Sequence, residues 1–254
     1  MEELKFAGDL RSERHLMPSA TSRDAIRTVL LVGASRGLGL AMAAEFLGRG
    51  WNVVGTTQGG ARTELHRLAD QHPGRIEVET LDVTAPEQIA ELRGRLSGRR
   101  FEILFHNAGI ANANPHQSAG TVSTEEFVRV LVTNALSPMR VVEGLQDLVP
   151  ANGLIGVMSS GQGSISNNER AGNDVYRGSK AALNQFMRCY AARHAAEPRA
   201  LVLMAPGWIR TALGGPDAPF SVEETIPKVV DVLLSQQGKP GLRYLDREGR
   251  VVPW

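Results

Sequence analysis

The chain has 254 residues, and its 28 lysines and arginines nearly balance 27 aspartates and glutamates, for a formal net charge of +1. That balance implies no basic face for nucleic acid, and the single cysteine, Cys189, excludes an intramolecular disulfide and a cysteine-cluster zinc site. No apolar run approaches a membrane span, and Met1-Glu-Glu-Leu-Lys-Phe6 carries acids where a secretory signal carries an apolar core, so a cytosolic protein without a membrane partner is expected.

Taken in chain order, residues 1–26 are rich in Ser, Arg and Asp and read as an extension, a surface arm without chemistry. The apolar run 28–32 reads as a strand and 37–48 as a helix, with Gly33-Ala34-Ser35-Arg36-Gly37-Leu38-Gly39 between them. In that context glycines let the backbone approach a pyrophosphate, and the helix N-terminus favours its negative charge. By itself the loop is also compatible with a plain strand-to-helix turn. Further strands are expected at 51–56, 75–81, 101–105, 153–158, 200–204 and 242–244, and helices at 62–71, 86–96, 124–148, 174–196 and 222–236. Ser123 ahead of Glu125 and Glu126, and the capping-box pattern from Ser221 to Glu224, mark two helix starts. Mostly apolar strands alternating with helices predict one α/β domain over 27–254. Its doubly wound parallel sheet of about seven strands is covered on both faces and binds ligand at the strands' C-terminal ends.

Tyr176-Arg-Gly-Ser-Lys180 sets a phenol and an ammonium on one helix face. A lysine near a tyrosine favours the phenolate and predicts a phenol pKa below its usual value of about 10. Such a group can exchange a proton with an oxygen near neutral pH. Cys189, inside the same helix, reads as inert packing. His106 and His116 make no metal constellation, so no metal is expected, and His66, His72 and His194 read as solvent-facing.

The glycine loop and the Tyr-Lys pair are joined, in order, by Leu81-Asp82-Val83, Asn107-Ala108-Gly109, Asn134, Ser159-Ser160 and Pro206-Gly207-Trp208-Ile209-Arg210-Thr211. From about Thr28 onward the chain thereby resembles the short-chain dehydrogenase/reductase family, whose fold is Rossmann-like. The stretch from Tyr244 to Trp254, with Pro206-Gly207-Trp208 and Leu213-Gly214-Gly215, is similar to the C-factor-like branch. The resemblance implies a catalytic set of Asn134, Ser160, Tyr176 and Lys180. Ser160 stands farther ahead of Tyr176 than the family serine usually does, so Ser159 and Ser164 stay as rivals, and 164–173 reads as an insertion lining the substrate cleft.

The same resemblance assigns a nicotinamide cofactor to Gly33, Ser35, Arg36, Gly37, Leu38 and Gly39. Asp82 and Val83 would meet the adenine, although Asp82 also suits a cap for the helix near Pro86. Asn107, Ala108 and Gly109 would let the backbone pass close to the cofactor, and Asn134 would help hold a water near the lysine. Lys180 would bind ribose hydroxyls, and Pro206, Gly207, Ile209 and Thr211 would hold the carboxamide end under a mobile flap at 212–221. The end of the second strand, Val54-Gly55-Thr56-Thr57-Gln58, lacks the acid that would repel a 2′-phosphate. Thr56, Thr57 and Arg36 offer it hydrogen bonds and charge instead, which favours NADPH/NADP+ over NADH. Reduction of a small ketone or aldehyde follows, with a homodimer or homotetramer paired through long helices. The rival readings are an NADP(H)-binding signalling protein of C-factor type and an alcohol dehydrogenase running in reverse.

Overall fold

Short apolar strands need cover on both faces, and the chain supplies it by alternating them with helices. The computed structural model describes residues 27–254; the extension expected over 1–26 lies outside the described residues. The elements are β1 Thr28–Val32, α1 Gly37–Gly48, β2 Asn52–Thr57, α2 Glu64–Gln71, β3 Ile76–Thr80, α3 Pro86–Arg95 and β4 Ile103–His106. They continue as α4 Thr124–Leu131, α5 Ser137–Leu145, β5 Leu154–Met158, α6 Asp174–Arg193, β6 Ala200–Ala205, α7 Val222–Gln236 and β7 Gly241–Asp246. All seven strands pair in parallel in the order β3-β2-β1-β4-β5-β6-β7. The order reverses between β1 and β4, which is where such a sheet opens a crevice.

Side chains of a strand alternate between faces, and here each face has its own core. Leu30, Val32, Leu104, Ile155 and Val157 pack on one side with Leu92 of α3, Val142 of α5 and Leu183 of α6. Val29, Leu31, Ile103, Phe105 and Met204 pack on the other with Phe46 of α1 and Val230 of α7. The capping box expected at Ser221 and Glu224 closes α7, and the Ser123 hydroxyl accepts the Glu126 N–H at the start of α4.

The helix expected over 124–148 is interrupted. A π turn, Val132–Leu136, separates α4 from α5, and Ser137 N–H reaches back five residues to the Val132 carbonyl. Pro138 explains the break: it lacks the N–H that an α-helix would aim at the Asn134 carbonyl. β7 runs past the expected 242–244 and then doubles back through a turn at Gly249 (φ +76°), so that Val252 N–H donates to the Tyr244 carbonyl at 2.9 Å.

Three surface expectations also change. Cys189 is exposed and does not pack in the core. His66 closes a capping box at the start of α2 with Thr63. His194 stacks on Tyr190 and pairs with Glu197. Among the described residues no helix is long and apolar enough to cross a membrane.

Candidate active site

The glycine loop closes on itself by contact distances that leave no room for side chains. Gly33 has φ +84°, and a Cβ there would lie 2.7 Å from the Ala108 nitrogen; one on Gly39 would lie 2.1 Å from the Gly33 carbonyl oxygen. Gly37, at φ +56°, faces open space. Two glycines thus pack the turn and the third presents bare backbone at the start of α1, a cradle suited to phosphate. Asn107 ties the loop to β4 by donating its amide to the Gly33 carbonyl at 2.8 Å. Ser35 is half-buried, Leu38 packs towards the α1 core and Arg36 is exposed.

At the end of β2 the Thr56 hydroxyl is buried and accepts the Gly33 N–H at 3.0 Å, so it braces the loop. The Thr57 hydroxyl is buried without a hydrogen-bond partner among the described residues. Asp82 does not cap α3, whose N-cap is Ala85. One of its oxygens accepts both the N–H and the hydroxyl of Thr84, and the other accepts the Gln58 amide. These bonds, Thr84's foremost, hold its carboxyl below the usual range. Val83 beside it is buried.

Tyr176 and Lys180 lie one turn apart at the start of α6, which is entered through Asn173 in the left-handed region (φ 57°). The Lys180 ammonium is buried, donates to the Met158 carbonyl at 2.8 Å, and lies 5.9 Å from the centre of the Tyr176 ring. Burial pushes its pKa down to about 8. The lowered phenol pKa expected for Tyr176 is not found. Burial of the phenol raises it, with the Ser160 hydroxyl pulling the other way. Desolvation wins because the lysine ammonium is turned towards the Met158 carbonyl.

The serines sort themselves by their bonds. Ser159 is buried and donates to Asn184 Oδ1 at 2.6 Å. Ser164 is buried, donates to the Trp254 carbonyl at 3.4 Å and accepts the Asn167 N–H. Ser160 is left at the cleft, accepting the Gln162 N–H and facing Tyr176. The insertion 164–173 is pinned at both ends, by Ser166 N–H to the Trp254 carbonyl and Asn173 N–H to the Pro115 carbonyl.

The π turn aims Asn134 inward, fully buried. Its amide oxygen accepts the Ile110 N–H, and its nitrogen donates to the Ile110 carbonyl and the Ser179 hydroxyl. Ser179 in turn donates to the Tyr176 carbonyl at 2.7 Å. A Cβ on Gly109 would sit 3.3 Å from Asn134 Oδ1 and 3.5 Å from Lys180 Nζ, so the turn after β4, the π turn and α6 meet at one point.

Pro206 is buried, Gly207 has φ +102°, and Ile209 is buried behind them. Thr211 accepts the Gly214 N–H at 3.0 Å. The flap expected to be mobile at 212–221 is tied at its base. Arg210 N–H donates to the Phe220 carbonyl, its guanidinium donates to the Ala218 and Pro219 carbonyls, and Arg247 stacks on the Phe220 ring at 3.6 Å.

The sequence reading gave no role at this site to four residues the structure places there: His106, Ser179, Asn184 and Tyr244. Asn184 continues the helix face of Tyr176 and Lys180, so the period alone would have found it. His106 carried no such signal. It is buried at the end of β4, with Nε2 3.1 Å from the Ala108 carbonyl and no partner for Nδ1 among the described residues. Burial first, then the Lys180 charge, lower its pKa to about 3. A groove at the β3 edge lined by Glu79, Glu87, Glu91 and Arg95 shares none of these residues. No group of three or more His, Cys, Asp or Glu among the described residues is placed to hold a metal ion.

Comparison with known proteins agrees with this geometry. A family profile described as enoyl-(acyl carrier protein) reductase matches residues 33–227. FixR of Bradyrhizobium diazoefficiens is 34% identical over 209 residues, 79% of this chain and 73% of that protein. C-signal of Myxococcus xanthus is 30% identical over 155 residues, 60% of this chain and 92% of that protein. A short-chain dehydrogenase/reductase from Burkholderia multivorans, crystallised with bound NADP, superposes with a TM-score of 0.90 at 63% identity, covering 91% of this chain and 100% of that one. A carbonyl reductase from Pseudomonas aeruginosa PAO1, in complex with NADP, gives 0.83 at 33% identity over 91% and 100%. The seven-stranded parallel sheet, the glycine loop and these matches together make the chain a member of the short-chain dehydrogenase/reductase family.

Proposed function

We propose that the chain is an NADPH-dependent reductase that converts a ketone or aldehyde to an alcohol, with Tyr176 as the proton donor. The observation that carries this reading is the placement of one serine hydroxyl, Ser160, facing the Tyr176 phenol at the strand ends that also hold the glycine loop. The residues fit the cofactor. Gly37 leaves bare backbone at a helix N-terminus, the Thr57 hydroxyl at the end of β2 has no partner among the described residues, exposed Arg36 precedes α1, and the end of β2 carries no acid. The two relatives crystallised with NADP support the same choice. Gly33, Ser35, Leu38, Gly39, Asp82, Val83, Asn107, Ala108, Gly109, Pro206, Gly207, Ile209 and Thr211 would complete the cradle. Bound there, NADPH supplies the hydride.

The chain's own residues manage the charge that develops on the carbonyl oxygen. Tyr176, with its pKa raised by burial, is neutral near pH 7 and has a proton to give. Ser160 donates a hydrogen bond to the same oxygen and polarises it. Lys180, with a pKa of about 8, is mostly charged at neutral pH and offsets the phenolate as the proton leaves. Asn134 holds the Ile110 backbone and, through Ser179, the first turn of α6. The same groups run the oxidation in reverse, so the cell's NADPH/NADP+ ratio sets the direction.

Assembly into a homodimer or homotetramer in the cytoplasm belongs to this reading. Phe127 and Val128 on α4, Leu136 on the π turn and Phe186 on α6 are exposed apolar side chains on the elements proposed to pair. The similarity to C-signal keeps a regulatory NADP(H)-binding role as the second reading, although binding alone has no use for a proton donor. Fluorescence titration with NADPH and NADH, followed by a panel of ketones and aldehydes, separates the two. NADPH oxidation by any carbonyl supports the reductase. Tight binding without turnover favours the regulatory role, and no binding of either cofactor overturns both.

A further inference from the structure

The stretch from Tyr244 to Trp254 remains without a task. Tyr244 is buried, and a buried phenol must find an acceptor. It donates to the Ser160 main-chain carbonyl. That carbonyl also accepts the Gly163 N–H at 2.8 Å, so two donors fix the peptide plane that leads out of Ser160. Ser160 lies beyond the end of β5 and has no ladder to hold it. Its segment is anchored from the side by Asn184, which accepts the Ser159 hydroxyl at 2.6 Å and donates to the Gly163 carbonyl at 3.1 Å.

The doubled-back segment 251–254 secures the tyrosine in turn. Asp246 accepts the N–H groups of Glu248 and Arg250, which turns the chain and returns Trp254 to Tyr244 with ring centres 5.4 Å apart. Arg188 of α6 stands over the indole at 4.8 Å. The Trp254 carbonyl then receives the Ser166 N–H at 2.9 Å and the Ser164 hydroxyl at 3.4 Å, on the far side of the same loop.

We infer that Tyr244 is a positioning residue for the reaction: its hydroxyl aims Ser160 at the substrate oxygen, and Trp254 locks both Tyr244 and the 164–166 turn in place. The inference rests on the proposed reading of Ser160 as the serine that meets the substrate. A phenylalanine would fill the same core volume, so the hydroxyl answers a need other than packing. Tyr244→Phe keeps the ring, and the Ser160 carbonyl keeps the Gly163 N–H, so the variant retains its fold.

The test is a double-mutant cycle on Tyr244→Phe and Ser160→Ala, measured as kcat with NADPH and a turned-over carbonyl. Tyr244→Phe alone should lower kcat about tenfold, the scale of one such coupling, and leave the NADPH dissociation constant unchanged. In the Ser160→Ala background it should cost nothing further. An equal loss in both backgrounds, or no loss in either, overturns the inference while the reductase reading stands. Ser160→Ala with undiminished kcat overturns the assignment of that serine, and this inference with it. In cofactor-free protein, hydrogen exchange at 159–166 should quicken in Tyr244→Phe and Trp254→Ala while β1 and β2 stay protected. Unchanged exchange at 159–166 counts against the anchor.

Discussion

Tyr176 and Lys180 illustrate how a residue pair can be legible in a sequence while its electrostatics are not. Spacing at i and i+4 put both on one helix face, and the structure keeps them there. Helix spacing says nothing about which carbonyl a lysine finds; here it is Met158, and burial moves the phenol pKa up where spacing alone predicts a fall. A neutral phenol suits a proton donor, so the correction strengthens the proposed role. Tyr176→Phe should cut kcat by about 10²–10⁴-fold, the usual worth of a general acid, while NADPH binding by fluorescence titration stays close to the parent's. Undiminished turnover would remove Tyr176 from the mechanism. The serines show the complementary limit. Ser159, Ser160 and Ser164 differ little in sequence, and the partners that take up the two rivals include Asn184 and Trp254, both distant along the chain.

Elements carry the next level of the argument, and the π turn is the clearest case. The 124–148 run was legible as helix from its caps and apolar period, but one extra residue in a turn leaves no mark on either. Pro138 was the available signal, since it withdraws an N–H from the Asn134 carbonyl. The resulting turn sends the Asn134 side chain to Ile110 and Ser179. Asn134→Ala should leave the half-buried Ile110 N–H and carbonyl unpaired, at a cost of about 1–3 kcal/mol for each group that water cannot reach. A urea titration should register that loss, and NADPH affinity should weaken with it, because Ile110 follows the Asn107–Gly109 turn. The glycine loop makes a sharper prediction. A side chain on Gly39 meets the Gly33 carbonyl at 2.1 Å, so Gly39→Ala must displace β1 or α1. NADPH binding should be lost. The open position at Gly37 carries no such clash, and Gly37→Ala pays only for its positive φ.

At the scale of the whole molecule, strand order and layer arrangement followed from alternation and apolar runs, since those patterns are what two-sided burial requires. What stayed hidden were the long-range polar partners, which no local pattern encodes, and His106 is the most consequential of them. Its folded pKa of about 3 lies below the ordinary value of 6.5 because burial and Lys180 both disfavour the charged ring. As pH falls through 6.5 the unfolded chain takes up the proton and the folded one does not. Stability from this residue is therefore full above 6.5 and is lost progressively towards about pH 3. Lys180 acts in a different window with the same sign. Its folded pKa of about 8 lies below 10.5, so the folded ammonium gives up its proton first and stability rises with pH between those values. Urea midpoints measured from pH 4 to pH 10 should therefore fall on the acid side, while on the alkaline side Lys180 contributes a rise from about pH 8 that Tyr176, Tyr190 and Tyr244, raised by burial, oppose as pH nears 10. His106→Asn should flatten the acid limb alone, whereas Lys180→Met should flatten the alkaline limb and, by removing the charge that opposes protonation of His106, soften the acid limb as well. Each comparison with the parent cancels the exposed carboxylates and arginines common to both proteins. An acid limb unchanged in His106→Asn would mean that the imidazole is hydrated or already charged in the fold, and that the turn after β4 is looser than its hydrogen bonds imply.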